Sequence, residues 1–275
     1  MPELPEVETI VRALREGGRG GEALPGHRIE AVDVSWARSV AEPSVEGFTR
    51  QVVGQRIEAV TRRGKFVVLQ LDRQALLIHL RMSGDLRVES TEEQTQPHDR
   101  IRFFLSGGLS LVFNDPRKFG RVWLVDDWQT TLAGLGPEPL DEAFTVGELA
   151  QRLRVTRRRI KPLLLDQTFL AGLGNIYTDE ALHLARIHPL APAWKLSTEQ
   201  VARLWGAIRS VLMEGIRRNG ASIDWVYRGG EFQHHFLVYQ RAGMPCQGCG
   251  SPIQRIVVGQ RGTYFCPVCQ PPWEG

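Results

Sequence analysis

Four cysteines, all after residue 245, constrain the fold of this chain more than any other feature. They form two C-x-x-C pairs, Cys246 with Cys249 and Cys266 with Cys269, and 16 residues separate the pairs. Thiolates at this spacing can converge tetrahedrally, and such paired knuckles are typical of four-thiolate zinc sites. Closed coordination leaves no position for a substrate, so the sequence predicts one structural zinc ion. A disulfide scaffold is the weaker alternative, because the rest of the chain has no cysteine.

The segment between the two cysteine pairs predicts a β-hairpin. Ile253–Val258 forms one strand candidate, Gly259 follows it, and Arg261 lies near the tip. A module of about 30 residues has too little core to fold alone, and metal binding supplies the missing folding free energy. We therefore expect a zinc-finger domain at residues 241–275. The residues by themselves support a hairpin that grips nucleic acid.

The bulk composition permits a polyanionic partner without requiring one. The chain has 275 residues, 42% hydrophobic residues, a net charge of +3 and a pI near 8.8. No apolar run approaches the roughly 20 residues of a membrane span, and the acidic start does not resemble a secretory signal. Together with the cysteine usage, this composition predicts a cytoplasmic protein that does not bind membranes.

The N-terminal half combines one helix with many short strands. Val7, Ile10, Val11 and Leu14 follow the helical spacing i, i+3, i+4, i+7, which predicts a helix over residues 6–16. Seven short strands with few helices predict a β-sandwich or barrel, which we place at residues 1–135. The strand candidates are His27–Trp36, Gln55–Val60, Phe66–Leu71, Ala75–Arg81, Ile101–Ser106, Leu109–Asn114 and Arg121–Val125.

The pattern becomes helical after a Gly/Pro-rich break at Leu135–Leu140. Thr145 with Glu148, and Ser197 with Gln200, have the spacing of capping boxes and predict two helix starts. We therefore expect a helical domain at residues 136–240. The fold class that follows is α+β and multidomain, with a β-sandwich that has a leading helix, a helical domain and a zinc hairpin.

The first residues carry a possible nucleophile. If Met1 is removed, Pro2 exposes a secondary amine, and an α-amino group has a pKa of about 8. Such an amine attacks carbonyl-like carbons and forms a cationic iminium, and Glu3 is close enough to pass a proton. For Pro2 and Glu3 alone, the more probable explanation is simple removal of Met1. The longer string MPELPEVET resembles the start of bacterial formamidopyrimidine-DNA glycosylases, which remove oxidised purines from DNA.

The resemblance implies a set of catalytic residues. Pro2 attacks the sugar carbon of the damaged nucleotide, and Glu3 donates a proton. Lys65, in the basic loop Thr61–Lys65, matches a family lysine that reaches the active site. Arg261 matches a residue that clamps the phosphate at the lesion and takes part in the late elimination. Without the resemblance, Lys65 would be a solvated loop residue and Arg261 an exposed turn residue.

The resemblance also implies a set of DNA-binding residues. Three of them form a probe that enters the duplex and fills the space of an extruded base, namely Met82, Arg117 and Phe119. His98 and Arg157 contact the DNA backbone. The turn Gly172-Leu173-Gly174-Asn175 strongly resembles the helix–two-turn–helix element of these glycosylases, and Asn175 opens a helix whose N-terminus suits a phosphate.

The resemblance covers nearly all 275 residues in matching order. It implies a bifunctional DNA glycosylase and AP lyase for oxidised purines, acting as a monomer on damaged double-stranded DNA. Two alternatives are an endonuclease VIII-like glycosylase for oxidised pyrimidines and a non-catalytic lesion-binding protein. In the family, a loop closes over the everted base, and the corresponding segment at 224–232 is a few residues shorter here.

Overall fold

The computed structural model describes residues 1–222 and 229–272, and these residues divide into two compact units. The first is Met1–Gly134 with Ser222 and Gly229, and the second is Leu135–Ala221 with Gly230 and the described residues that follow it. The predicted base-closing segment at 224–232 lies largely outside the described residues.

The first unit contains nine strands and the second contains most of the helices, among the described residues. The helices are α1 (Leu4–Glu16), α2 (Val45–Val52), α3 (Trp128–Thr131), α4 (Val146–Arg154), α5 (Ile160–Leu164), α6 (Asn175–Leu184) and α7 (Thr198–Arg217). The strands are β1 (Ile29–Val34), β2 (Val40–Glu42), β3 (Ile57–Arg63), β4 (Phe66–Leu71), β5 (Ala75–His79), β6 (Asp85–Ser90), β7 (Asp99–Leu105), β8 (Leu109–Asn114), β9 (Arg121–Val125), β10 (Gln254–Val258) and β11 (Arg261–Phe265).

The nine strands of the first unit form two sheets. One has four strands in the order β1-β7-β8-β6, and the other has five in the order β2-β9-β5-β4-β3. All neighbours are antiparallel except β2 and β9. Side chains from both sheets pack into one apolar core, with Phe103 and Phe113 from one sheet and Leu69 and Ile78 from the other. The predicted β-sandwich is thereby confirmed.

Helix α1 contributes its apolar face to the same core. Val7, Ile10 and Leu14 are buried there, and α1 contacts β3 and β4 of one sheet and β6 of the other. The helix begins two residues earlier than predicted, because Glu3 takes the N-cap position and Pro5 is tolerated in the first turn. Burial of this face fixes the first residues of the chain against the sandwich.

Two strands, β2 and β6, and two helices, α2 and α3, of the first unit were not predicted. In β6 only Leu86 and Val88 are buried in the core, and two of its charged residues pair with β7, Arg87 with Asp99 and Glu89 with Arg102. Strand β2 has three residues, and α2 has eight with a glycine among them. Such short elements depend on tertiary contacts more than on their own periodicity.

The second unit begins its helices where the capping signatures predicted. The Thr145 hydroxyl accepts the backbone N–H of Glu148 at 3.2 Å, and Ser197 and Gln200 form a reciprocal capping box at the start of α7. Between α5 and α6 the chain turns at Gly172, whose φ of +92° favours glycine. Within residues 1–222 and 229–272, no helix is both long and apolar enough to cross a bilayer.

Candidate functional site

The first residues of the chain are held rigidly at the start of α1. The backbone N–H of Glu3 donates to Oε2 of Glu6 at 2.7 Å. The side chains of both glutamates are almost fully buried, at 3% and 2% exposure. Pro2 is buried beside them, whereas Met1 is half exposed. Met1, whose removal would free the Pro2 nitrogen, is therefore partly accessible to solvent.

Lys65 lies in a turn that is attached to the same helix. Gly64 and Lys65 connect β3 to β4, and Gly64 has a φ of +55°. The guanidinium of Arg62 donates to Oε2 of Glu8, on α1, at 3.1 Å and to the Gly64 carbonyl at 3.0 Å. Lys65 itself is only 5% exposed, so its ammonium does not lie on a solvated loop. The arrangement ties the Lys65 turn to the helix that carries Pro2.

His79, at the end of β5, is a site residue that we did not single out from the sequence. It pairs with Phe66, the residue after Lys65, and its ring contacts the Phe66 ring edge-on at 4.7 Å. Burial, and then the charges of Arg81 and Lys65, lower the pKa of His79 to about 3. Its Nδ1 accepts the backbone N–H of Arg81 at 3.0 Å, so the neutral ring carries its proton on Nε2. The detectable signal was a histidine ending an apolar strand.

The three predicted probe residues lie on two neighbouring turns of the first unit. Met82 is 38% exposed and Phe119 is 48% exposed, which is unusual for large apolar side chains. The Arg117 guanidinium lies 5.3 Å from the centre of the Phe119 ring. The backbone N–H of Arg117 donates to the Ser83 hydroxyl at 3.1 Å, which joins the two turns. The structure thus joins the turn that carries Met82 to the turn that carries Arg117 and Phe119, and it places the last two side chains against each other.

His98 and Arg157 are both exposed. His98 has a φ of +77°, and its Nδ1 lies 3.2 Å from the guanidinium of Arg100 in the same unit. Arg157, in the second unit, lies with its guanidinium 5.6 Å from the centre of the Trp194 ring. Both positions are open to a phosphate, and neither residue is buried in a core.

Asn175 and Arg261 approach each other within the second unit. Asn175 is the first residue of α6, and its Nδ2 donates to the carbonyl of Gly262 at 2.9 Å. The hairpin turn between β10 and β11 consists of Gly259 and Gln260, with φ values of +55° and +62° that match a type I′ turn. Arg261 follows this turn and is exposed. The N-terminus of α6 and the hairpin tip with the exposed Arg261 are therefore neighbours.

A buried ion pair fastens the hairpin to the helices of this unit. Nζ of Lys161 lies 2.6 Å from Oδ1 of Asp179, and the two side chains are 0% and 1% exposed. Lys161 also donates to the Gly262 carbonyl at 3.3 Å, and Asp179 accepts the backbone N–H of Tyr264 at 2.9 Å. Burial raises the pKa of Asp179 to about 7, although Lys161 opposes the shift. Lys161 lies within a basic run, and no pattern in the sequence indicated that it is buried.

The four cysteines fit a tetrahedral zinc ion. Their sulfur atoms all lie within 4.8 Å of one another, with 3.9 Å between Cys246 and Cys269 and 3.4 Å between Cys249 and Cys266. Four thiolates at about 2.3 Å from one zinc ion would lie about 3.8 Å apart. Burial, followed by the neighbouring thiols, raises the pKa of Cys269 to about 12, which a cation would reverse. The zinc would be structural, because all four positions are filled.

Family models match the chain along its length. Residues 1–122 match the formamidopyrimidine-DNA glycosylase N-terminal domain, residues 135–226 the formamidopyrimidine-DNA glycosylase H2TH domain, and residues 243–272 a zinc finger found in FPG and IleRS. The chain belongs to the formamidopyrimidine-DNA glycosylase family. Membership confirms the resemblance, the helix–two-turn–helix domain and the structural zinc site that the sequence predicted.

Individual relatives in this family match over almost their whole length. The chain is 49% identical to the formamidopyrimidine-DNA glycosylase of Chloroflexus aurantiacus, over 98% of both chains, and 43% identical to that of Herpetosiphon aurantiacus, over 98% of this chain and 100% of the relative. A solved structure of the Lactococcus lactis enzyme with DNA containing FAPY-dG superposes with a TM-score of 0.90 and 35% identity, covering 98% of this chain and 100% of that one.

Proposed function

We propose that this protein is a bifunctional DNA glycosylase and AP lyase that removes oxidised purines, such as 8-oxoguanine and formamidopyrimidines, in base excision repair. The observation that carries the proposal is 49% identity over 98% of the chain to a protein named formamidopyrimidine-DNA glycosylase. The lactococcal relative was solved with DNA containing FAPY-dG. In this chain the buried residues Pro2 and Glu3 would carry the chemistry that this similarity implies.

In the proposed reaction the Pro2 nitrogen, freed by removal of Met1, attacks the anomeric carbon of the damaged nucleotide. A bond forms between nitrogen and carbon, the glycosidic bond breaks, and the base departs with its electron pair and a proton. The nitrogen then loses its proton, and its electron pair expels the ring oxygen from the anomeric carbon; the sugar opens, and the ring oxygen takes a proton from Glu3. The resulting iminium is cationic, because Pro2 is a secondary amine, and it acidifies the adjacent sugar carbon. Successive eliminations then cut the strand on both sides of the lesion, and Glu3 passes protons.

Cationic and hydrogen-bonding groups assist this chemistry. We assign Lys65 and Arg261 to the phosphates beside the lesion, where each also steadies the elimination steps. His79 acts there as a neutral donor, because its pKa of about 3 keeps the ring uncharged and its Nδ1 is already occupied. A neutral donor next to Lys65 adds a hydrogen bond without adding a second charge to a buried site.

DNA binding uses residues outside the catalytic group. We propose that Met82, Arg117 and Phe119 fill the space left by the everted nucleotide, since extruding a base costs a few kcal/mol of stacking and pairing. His98, Arg157 and Asn175 contact the phosphate backbone. We also propose a division into domains at 1–135, 136–240 and 241–275, a monomer in solution, and action in the cytoplasm.

Borohydride trapping on DNA containing one lesion tests the mechanism. The wild type should form a covalent adduct, Pro2→Gly should trap far less, and protein that retains Met1 should trap none. Glu3→Gln should bind DNA but excise slowly, whereas Glu16→Gln, at the exposed end of α1, is the matched charge control. Absence of any wild-type adduct while DNA is bound would overturn the proposal.

One observation supports a second candidate function. A structure of the lactococcal relative, 36% identical to this chain, contains DNA with an oxidised pyrimidine. A glycosylase that prefers oxidised pyrimidines is therefore the alternative. Single-turnover excision rates on duplexes that carry 8-oxoguanine or an oxidised pyrimidine decide between the two. A faster rate on the purine supports our proposal, and a faster rate on the pyrimidine rejects it.

A further inference from the structure

A buried carboxylate lies beneath the three probe residues Met82, Arg117 and Phe119, which we call the probe. Asp115 and its partner Ser83 are 0% and 1% exposed. The Ser83 hydroxyl donates to Oδ1 of Asp115, and the backbone N–H of Gly120 donates to Oδ2 at 2.7 Å. Each oxygen of the carboxylate therefore holds a different turn, one adjacent to Met82 and one adjacent to Phe119.

Ser83 extends this connection to the third member of the probe. Its oxygen accepts the backbone N–H of Arg117 at 3.1 Å while its hydrogen is given to Asp115. One hydroxyl thus bridges the carboxylate and the Arg117 backbone. The Ser83–Asp115 pair is thus connected to all three probe positions. Ser83 follows Met82 and binds the N–H of Arg117, and Asp115 binds the N–H of Gly120, which follows Phe119.

The backbone of Asp115 connects the same pair to the His98 turn. Its N–H donates to the His98 carbonyl at 2.9 Å, and its carbonyl accepts Nε of Arg100 at 2.8 Å. The Arg100 guanidinium in turn lies 3.2 Å from Nδ1 of His98. Asp115 therefore holds both the probe and His98, the residue that we propose contacts the phosphate backbone of the DNA.

The two probe turns also rest on one aromatic ring. A Cβ atom added to Gly84 would lie 2.8 Å from the Phe113 ring, and one added to Gly120 would lie 2.3 Å from it. Real Cβ atoms do not come this close, so the backbone of each turn packs directly on Phe113, which is fully buried. The Phe113 ring supports both turns from below, and the hydrogen bonds of the Ser83–Asp115 pair hold the two turns next to each other.

We propose that Ser83 and Asp115 are positioning residues that hold the probe in one preformed arrangement before it enters the duplex. The inference rests on the proposed glycosylase function, because the probe acts only when a damaged base is separated from the base with which it pairs. A wedge that is already ordered loses less conformational freedom on insertion, so preorganisation speeds extrusion of the lesion. Neither residue touches the reacting atoms, so both act through the probe.

Two reactions of the same protein separate a positioning role from a general structural one. Excision of 8-oxoguanine from a duplex requires insertion of the probe. Cleavage at a preformed abasic site in single-stranded DNA requires only the nucleophile and the phosphate contacts, because no partner base has to be replaced. Fluorescence of 2-aminopurine placed opposite the lesion reports insertion directly.

We expect Ser83→Ala and Asp115→Asn to slow single-turnover excision from the duplex by about tenfold or more. The 2-aminopurine signal should slow in parallel, and cleavage of the single strand should stay within about twofold of the wild type. The double variant should be no slower than the slower single variant, because both changes break one network. Ser83→Thr, which keeps the hydroxyl, should restore most of the rate.

Ser110→Ala is the matched control. The Ser110 hydroxyl is buried on β8, the strand that ends just before Asp115, and it has no hydrogen-bond partner among the described residues. Wild-type rates for Ser83→Ala and Asp115→Asn on the duplex would overturn the inference, as would equal losses in both reactions. If Asp115→Asn does not fold, Ser83→Ala decides alone. A wild type that binds DNA but cleaves neither substrate would overturn the proposed function, and this inference with it.

Discussion

Replacement of Lys161 by methionine tests how the second unit holds its zinc hairpin. Methionine keeps the length and apolar stem of lysine but removes the ammonium that lies 2.6 Å from Asp179 and 3.3 Å from the Gly262 carbonyl. Asp179, 1% exposed, then loses its counter-ion. Removal of one partner of a buried ion pair costs about 3–5 kcal/mol.

The titration of Asp179 adds a pH dependence to this loss. Burial already raises the pKa of Asp179 to about 7 with Lys161 present, and loss of Lys161 raises it further. The folded variant therefore keeps the carboxyl protonated at pH 7, whereas the unfolded chain releases that proton above a pKa of about 3.9. The wild type shares the raised pKa, so this effect separates the two proteins only from about pH 7 upward, where the wild-type carboxylate ionises against Lys161 and the carboxyl of the variant stays protonated. The variant thus loses stability as pH rises.

Amide hydrogen exchange of the hairpin, measured with zinc present at pH 6 and pH 8, follows this change. Lys161→Met should lower the free energy of opening for Gly262 and Tyr264, and the loss relative to the wild type should be greater at pH 8. Lys161→Met/Asp179→Asn removes the titrating group, so it should recover part of the stability and lose the added pH dependence. A loss that is equal at both pH values, or a double variant no more stable than the single one, would refute the reasoning.

Three further changes give separate tests. Chelation of zinc should unfold the hairpin and abolish DNA binding, because the metal supplies the folding free energy of so small a module; circular dichroism and a filter-binding assay measure both effects. Gly120→Ala should destabilise the protein by about 1–3 kcal/mol in urea, because its Cβ would lie 2.3 Å from the Phe113 ring, and Phe113→Leu should recover part of the loss. Glu180→Gln should cost about 1–3 kcal/mol by the same measurement, because the buried carboxylate accepts three backbone N–H groups from Leu237–Tyr239 and an amide presents only one acceptor oxygen.

The sequence predicted those parts of the fold that have strong local patterns. Strands β4, β8 and β9 have the bounds expected from their apolar runs, and α7 begins at the predicted capping box. Strand β6 was missed because it alternates charged with apolar residues and its charges are neutralised by partners in other strands, Arg87 by Asp99 for example. Pairing of that kind cannot be read from a window of a few residues.

The zinc ligands were predictable because coordination by four thiolates requires a characteristic spacing of cysteines, which is visible in the sequence. The supporting residues of the site leave no such trace. Ser83 and Asp115 bond across 32 positions of sequence, and a single histidine at the end of an apolar strand, such as His79, has no spacing pattern that indicates a site. The roles of Pro2 and Lys65 came from resemblance, since a penultimate proline and a loop lysine are common by themselves.

The basic run upstream of Asn175 shows why charge composition alone could not assign a phosphate contact. Arg152 is paired with Glu148, and Arg158 is paired with Asp166, so their charges are largely neutralised within the protein. Lys161 is buried against Asp179 and faces no solvent at all. Arg157 is exposed, and the structure pairs it with no carboxylate among the described residues; its guanidinium lies near the Trp194 ring. A cation attracts a phosphate to the extent that no carboxylate already holds it, which makes Arg157 a stronger candidate than Arg152, Arg158 or Lys161, although all four look alike in the sequence.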